Sequence, residues 1–253
     1  MKPIKTLKVS FKNSNGFLLD ARLELPSQTP EAFAIFCHCF TCTKQTLTTH
    51  RISRLLAEQG IAVLRFDFTG LGQSEGDFAN SNFTTMVDDV IAAYEYLNNN
   101  HEPPTFLLGH SMGGTAALVA ASQLSSIKGI ATIASPSRPD HVLHHFGPAL
   151  KALEQNHPSY FQVAGQAYPI NPQFVTDVRS INTEELFKNI TQEVLIFSVV
   201  NDTIVKPTNA EQINNWMDGN SRIVNLYYAD HLLTNKSDAL LVADKISKWI
   251  KSV

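Results

Sequence analysis

Ser111 sits in Gly109-His110-Ser111-Met112-Gly113, a G-x-S-x-G pentapeptide. The apolar run Pro104-Thr105-Phe106-Leu107-Leu108 precedes it, and the helix-forming stretch Gly114-Thr115-Ala116-Ala117-Leu118-Val119-Ala120-Ala121 follows. Where a strand turns abruptly into a helix, the corner residue takes a strained backbone, and its neighbours must be nearly free of side chains for the two elements to pack. Gly109 and Gly113 meet that need, with Gly114 as a further small residue. Such a corner lifts a hydroxyl clear of the sheet and aims the first N–H groups of the helix at whatever the hydroxyl attacks. The chemistry indicated is nucleophilic attack by Ser111. A chance pentapeptide in a glycine-containing turn is the alternative, and the strand before and helix after argue against it.

A serine hydroxyl is a poor nucleophile at neutral pH and needs a base in hydrogen-bond reach, itself oriented by a third group. The chain holds nine histidines, so position must choose among them. His231, in Tyr227-Tyr228-Ala229-Asp230-His231-Leu232-Leu233, follows the last strand-like run and precedes the last helix-like one. His141, His144, His145 and His157 fall in a proline-rich segment that reaches the site only from above, and His38, His50, His101 and His110 follow elements that point elsewhere. Asp202, in the loop after the run 194–200, is the expected orienting acid. Asp177 is its lower-ranked rival, and Asp230 reads as a turn residue beside the base. A tetrahedral oxyanion needs two preorganised donors. The Met112 N–H follows the nucleophile directly, and the Phe40 N–H, in His38-Cys39-Phe40-Thr41, is the expected second.

The elements that must position these groups alternate. Strands are expected at Leu7–Phe11, Gly16–Leu25, Ala32–Cys37, Ile61–Phe66, Ile127–Ile133, Val194–Val199 and Arg222–Tyr227, with Asn15-Gly16 as a hairpin turn. Helices are expected at about Thr49–Gln59, 83–99, Thr183–Asn189, Asn209–Met217 and from about Ser237. Continuous apolar runs such as Ala-Phe-Ala-Ile-Phe-Cys mark strands buried on both faces. This rhythm implies one α/β domain over residues 1–253, a mostly parallel, doubly wound sheet opened by an antiparallel hairpin. Ligands of such sheets lie beyond the carboxyl ends of the strands, where every candidate above falls. Residues 135–180 break the rhythm with six prolines and read as an irregular, aromatic cap insertion. Gly70-Leu71-Gly72 lacks the third glycine of a phosphate-binding loop and reads as a tight turn beside a buried, hydrogen-bonded Asp67.

The chain has 253 residues, 43% of them hydrophobic and 17% charged, with a net charge of −3. That composition suits a globular protein with a full-sized core and gives no electrostatic case for nucleic acid or a membrane surface. No signal-peptide core and no apolar run of about 18 residues is present, so a cytoplasmic protein is expected. The odd number of cysteines (Cys37, Cys39, Cys42) argues against a disulfide framework and suits a reducing compartment. As a metal site the cluster has poor geometry, because Cys37 and Cys39 would share one strand face with His38 on the other. Neither a metal nor a cofactor is expected.

With these residues in hand, the chain resembles the α/β-hydrolase superfamily over essentially its whole length. The resemblance rests on His38-Cys39-Phe40, Asp67-x-x-Gly70-x-Gly72-x-Ser74, Gly109–Gly113, Asp202-x-x-Val205 and Asp230-His231, and on the chain order Ser111, Asp202, His231. More narrowly, Cys37-His38-Cys39-Phe40-Thr41-Cys42, the run 65–72 and Asp230-His231-Leu232-Leu233-Thr234 look like a bacterial subgroup often fused to an OsmC-like domain. An OsmC-like domain is expected to be absent from this chain, and a partner-binding role on the same fold implies a functional link to an OsmC-like protein. The resemblance implies a cofactor-independent serine hydrolase of small carboxylic esters, working through an acyl-enzyme. The same triad would serve an acyltransferase or perhydrolase, and the same fold a non-catalytic binding protein. Epoxide hydrolases and dehalogenases need a carboxylate where Ser111 stands. Many superfamily members have His-Gly where this chain has His38-Cys39, which alters the backbone angles open to the loop and leaves a thiol near the pocket. Cys39 reads as a small buried packing residue in preference to a redox gate. The sequence is silent on oligomeric state.

Overall fold

The computed structural model describes residues 3–253. β1 (Ile4–Lys12) and β2 (Leu18–Pro26) form the expected antiparallel hairpin. β2 begins at Leu18 because Gly16, at φ 80°, belongs to the turn. Asn13 pins that turn: its side-chain oxygen accepts the Asn15 and Phe17 N–H groups, while its amide donates to Asp89 and Thr69.

β3 (Ala32–Cys37) and β4 (Ile61–Phe66) match the apolar runs residue for residue. With β5 (Phe106–His110), β6 (Gly129–Ile133), β9 (Glu193–Val199) and β10 (Ser221–Leu226), they complete an eight-stranded sheet in the order β1-β2-β4-β3-β5-β6-β9-β10. Within this sheet β4, β3, β5, β6, β9 and β10 run parallel, and β2 pairs antiparallel with both β1 and β4. Side chains alternate across the sheet. Ala34 and Phe36 of β3 face a core shared with α1 (Leu47–Glu58) and α8 (Lys236–Ile250), whereas Phe33, Ile35 and Cys37 face one shared with α2 (Phe83–Asn100) and α3 (Met112–Ala121). Helices thus cover both faces, as a sheet of doubly buried strands requires. α2 starts at Asn82, whose side chain caps Thr85 in a reciprocal capping box.

Residues 135–180 are not irregular, which corrects the expectation from sequence. They form a 3₁₀ segment (Pro139–His145), α4 (Pro148–Glu154), a hairpin of β7 (Ser159–Val163) and β8 (Gln166–Ile170), and α5 (Gln173–Ser180). Three of the six prolines start helical elements instead of breaking them. Pro139 and Pro148 occupy first helical turns, where the missing N–H costs nothing, and Pro172 immediately precedes α5. Phe146, Phe161 and Phe174 from this segment pack against Phe40, and Phe161 against Phe78, at centroid separations of 5.3 to 6.4 Å. α6 (Thr183–Lys188) and α7 (Thr208–Trp216) then resume the alternation.

A buried charge cluster ties the loop after β3 to the sheet. Lys44, 1% exposed, places its ammonium on Asp67 and, at 2.6 Å, on Asp20. The Lys44 N–H donates to Asp67, and its carbonyl accepts from Arg65, itself paired with Glu24 at 2.7 Å. Each buried charge is matched, as burial demands. Asp67 is buried and hydrogen-bonded as expected.

Among the described residues no helix is long and apolar enough to cross a membrane.

Candidate active site

Ser111 stands at the corner between β5 and α3 with φ 52° and ψ −131°, a conformation that costs any residue bearing a Cβ of order 1–3 kcal/mol. The surrounding packing imposes it. The Ser111 N–H donates to the Ile133 carbonyl of β6 at 2.8 Å. A Cβ on Gly113 would lie 2.2 Å from the His38 carbonyl oxygen, and one on Gly109 would lie 2.4 Å from Gly114 Cα. The glycines of the pentapeptide are there so that β3, β5 and α3 can touch.

Asp202 and His231 come together across 29 positions of sequence, with His231 Nδ1 2.6 Å from Asp202 Oδ2. The other Asp202 oxygen accepts the Ile204 and Val205 N–H groups at 2.7 and 3.0 Å. Burial alone would raise the Asp202 pKa, but the His231 hydrogen bond and charge and the two amides outweigh it and hold the carboxyl below its ordinary value. An ionised Asp202 accepts from Nδ1–H, which leaves Nε2 of the neutral imidazole as the acceptor for a hydroxyl proton. Ser111 and His231 line one cavity of about 710 Å3 with Phe40 and Met112. The Phe40 and Met112 amide hydrogens have no backbone acceptor among the described residues. All five expected site residues therefore meet at one place. Asp177 does not join them, since it accepts from Thr84 at the start of α2. Asp230 caps its own turn through Thr234.

Two features escaped the sequence. Cys39 and Cys42 are joined in a disulfide, so Cys39 is not a simple packing residue and the odd cysteine count misled. Cys37 alone is free and buried, and because β3 ends there the three residues 37–39 do not alternate on a strand. The C-x-x-C spacing was the available signal. His38 and His110, set aside as pointing elsewhere, also support the site. His38 Nε2 accepts the Phe68 N–H at 3.2 Å, so its Nδ1–H donates to the Cys39 carbonyl at 2.8 Å. That carbonyl belongs to the peptide whose other end is the Phe40 N–H. His110 Nε2–H donates to the His231 backbone carbonyl at 2.7 Å, linking the residue before the nucleophile to the loop of the base. From the segment 135–180, His141 and His145 reach the cavity wall.

Both supporting histidines are fully buried. Burial pushes the His38 pKa down to about 4 and, with the His231 charge, the His110 pKa down to about 3. Unfolded histidines titrate near about 6.5, so from there down to about 4 the unfolded chain binds more protons and stability falls as pH is lowered. Asp89 opposes this, because burial raises its pKa to about 6. Relative to pH 7, at pH 5 each histidine withdraws about 2 kcal/mol and Asp89 returns about 1, a net loss of about 3 kcal/mol. Urea unfolding at the two pH values is expected to show that loss. A midpoint unchanged between them would contradict the assignment of two neutral, buried imidazoles.

A parallel sheet wound on both faces, with a serine at its sharpest strand-to-helix corner and an Asp–His pair on two later strand ends, defines an α/β-hydrolase. The chain belongs to the serine aminopeptidase S33 family (Hydrolase_4), which it matches over residues 28–242. It is 37% identical to the esterase domain of a Rhodothermus marinus protein, with 98% of this chain and 97% of that one covered at a TM-score of 0.79. Est1E from Butyrivibrio proteoclasticus, solved with ferulic acid bound, shares the fold at a TM-score of 0.83 and 22% identity, over 96% and 98% of the two chains. Human monoglyceride lipase is 32% identical over 113 residues, a stretch covering 44% of this chain and 37% of the lipase.

Proposed function

We propose that the protein hydrolyses esters of small carboxylic acids through an acyl-enzyme on Ser111. Ser111 Oγ attacks the acyl carbon as His231 Nε2 takes its proton. Asp202 holds the imidazole in the required tautomer and stabilises the imidazolium. The oxyanion rests on the Phe40 and Met112 amides. His231 then returns the proton to the leaving alcohol, and water repeats the sequence to release the acid. The observation carrying this reading is the short His231–Asp202 contact on the cavity that Ser111 also lines. The esterase domain and the lipase among the relatives support an ester over an amide.

The cavity volume is in the range of small-molecule sites. In this reading the acyl group lies against the Phe40 ring, which lines the same cavity as Ser111 and Met112. Behind that ring the aromatic stack leaves only about 10 Å3, room for no more than one water. The segment 135–180 acts as a cap that closes off this side, so the acyl group is short or compact. A series of p-nitrophenyl acetate, butyrate, octanoate and dodecanoate is expected to lose roughly tenfold or more in kcat/KM from butyrate to dodecanoate. A fluorophosphonate is expected to label Ser111 stoichiometrically. Preference for dodecanoate would overturn the short acyl site, and an unlabelled Ser111 would overturn the serine mechanism.

A further inference from the structure

We propose that the Cys39–Cys42 disulfide is a reducible site whose state sets the activity of the Ser111 centre, with a dithiol as its reaction partner. The inference rests on the serine-hydrolase reading above. The bridge closes a ring around two residues, Phe40 and Thr41, and Phe40 carries one of the two oxyanion amides. Both flanks of the ring are held independently of it. Upstream, His38 ties the Cys39 carbonyl to the Phe68 amide. Downstream, Lys44 is buried against Asp67 and Asp20. Between these anchors the backbone bonds are few and local: the Cys42 N–H to Cys39 carbonyl turn at 3.1 Å, the Thr41 hydroxyl on the Phe40 carbonyl at 2.6 Å and the Thr43 N–H on the Thr46 hydroxyl at 3.2 Å, with the Tyr168 hydroxyl on the Thr41 carbonyl at 3.2 Å from outside. Thr41 lies at φ 61°, an unfavourable conformation for a β-branched residue. Ring closure opposes its relaxation, and Phe40 is its immediate neighbour.

The site is also accessible to chemistry. Cys39 and Cys42 both line the cavity that holds Ser111, and Cys42 is only half-buried while Cys39 is 5% exposed. A reductant thiolate attacks Cys42 Sγ, the S–S bond breaks, and the electron pair leaves on Cys39 Sγ, which takes a proton. The second thiolate of the reductant resolves the mixed disulfide and releases Cys42 as a thiol. The dithiol becomes a disulfide, giving up two electrons and two protons that reduce the protein bridge. Cys37 stays outside the exchange, because it is fully buried at the end of β3 and burial pushes its thiol pKa upward.

The test compares the intact protein before and after dithiothreitol, with bridge state read by alkylation and mass spectrometry. Opening the ring lets Thr41 relax and tilts the Phe40 amide, whose peptide stays hydrogen-bonded through the Cys39 carbonyl to His38, without removing it. Deleting an oxyanion donor outright costs about a hundredfold to a thousandfold, so a loss of roughly tenfold is expected in kcat and in the rate of fluorophosphonate labelling of Ser111. KM should change little, and reoxidation should restore both rates. Cys42→Ser should show the reduced rate and ignore dithiothreitol, and the wild-type comparison stands even if that variant fails to fold. Equal labelling rates in the two verified states would overturn the proposal, as would a bridge that excess dithiothreitol leaves closed in the folded protein. Absence of labelling in both states would remove the serine-hydrolase reading, and this proposal with it.

Discussion

Ser111→Ala is expected to lower kcat for a short p-nitrophenyl ester by roughly five to six orders of magnitude while leaving the protein folded. Residual turnover above the uncatalysed rate would come from binding and the two amides. The strained backbone at this corner makes a second variant informative. Alanine inherits the strain and loses only the nucleophile. Ser111→Gly loses the nucleophile and relieves the strain, so it is expected to be equally inactive but about 1 kcal/mol more stable. Kinetics and thermal unfolding on the pair separate the two effects. Turnover by Ser111→Ala within tenfold of the parent would end the assignment of Ser111 as nucleophile.

Asp202→Asn is expected to cost roughly three to four orders of magnitude in kcat. The mechanism follows from what each carboxylate oxygen accepts. Oδ1 takes two backbone N–H groups, so the amide oxygen of asparagine must stay there. Its NH2 then faces His231 Nδ1, where the ionised carboxylate stood. Two donors cannot share that contact, so the proton moves to Nε2 and the imidazole can no longer accept from Ser111. The fold should survive, since asparagine fills the same space. A kcat within tenfold of wild type, with the substitution confirmed by mass, would show that Asp202 does not orient the base.

The residues that the structure brings together at the candidate site were legible in the sequence because the proposed chemistry restricts residue type as well as position. The pentapeptide needs glycines for steric reasons, and Asp202 and His231 each follow a strand rich in apolar residues. β3 and β4 were equally plain, since a strand buried on both faces reads as an unbroken apolar run. The supports were not legible. His38 and His110 act on backbone carbonyls, which carry no side-chain identity, so no spacing announces them. The disulfide was signalled only by its C-x-x-C spacing, and Thr41 within it takes a positive φ, a geometry that favours glycine and that threonine does not advertise. In the segment 135–180, proline density looked like disorder of structure because a proline that opens a helix and one that ends it are the same letter.

The placement of His231 ties reactivity to folding. The base is the last of the three groups in chain order, and its loop becomes fixed only when β10 has docked on β9 and Leu232 has accepted the Thr48 hydroxyl from α1. α8, which follows, packs against the same helix. These are contacts between distant parts of the sequence, which form late because of the entropy of bringing them together. On the mechanism proposed above, a nascent or partly unfolded chain carries its serine with nothing to take the proton, and is inert toward the acyl compounds around it. Turnover by this protein is in that sense a reporter of completed folding, switched on by the final crossovers of the sheet.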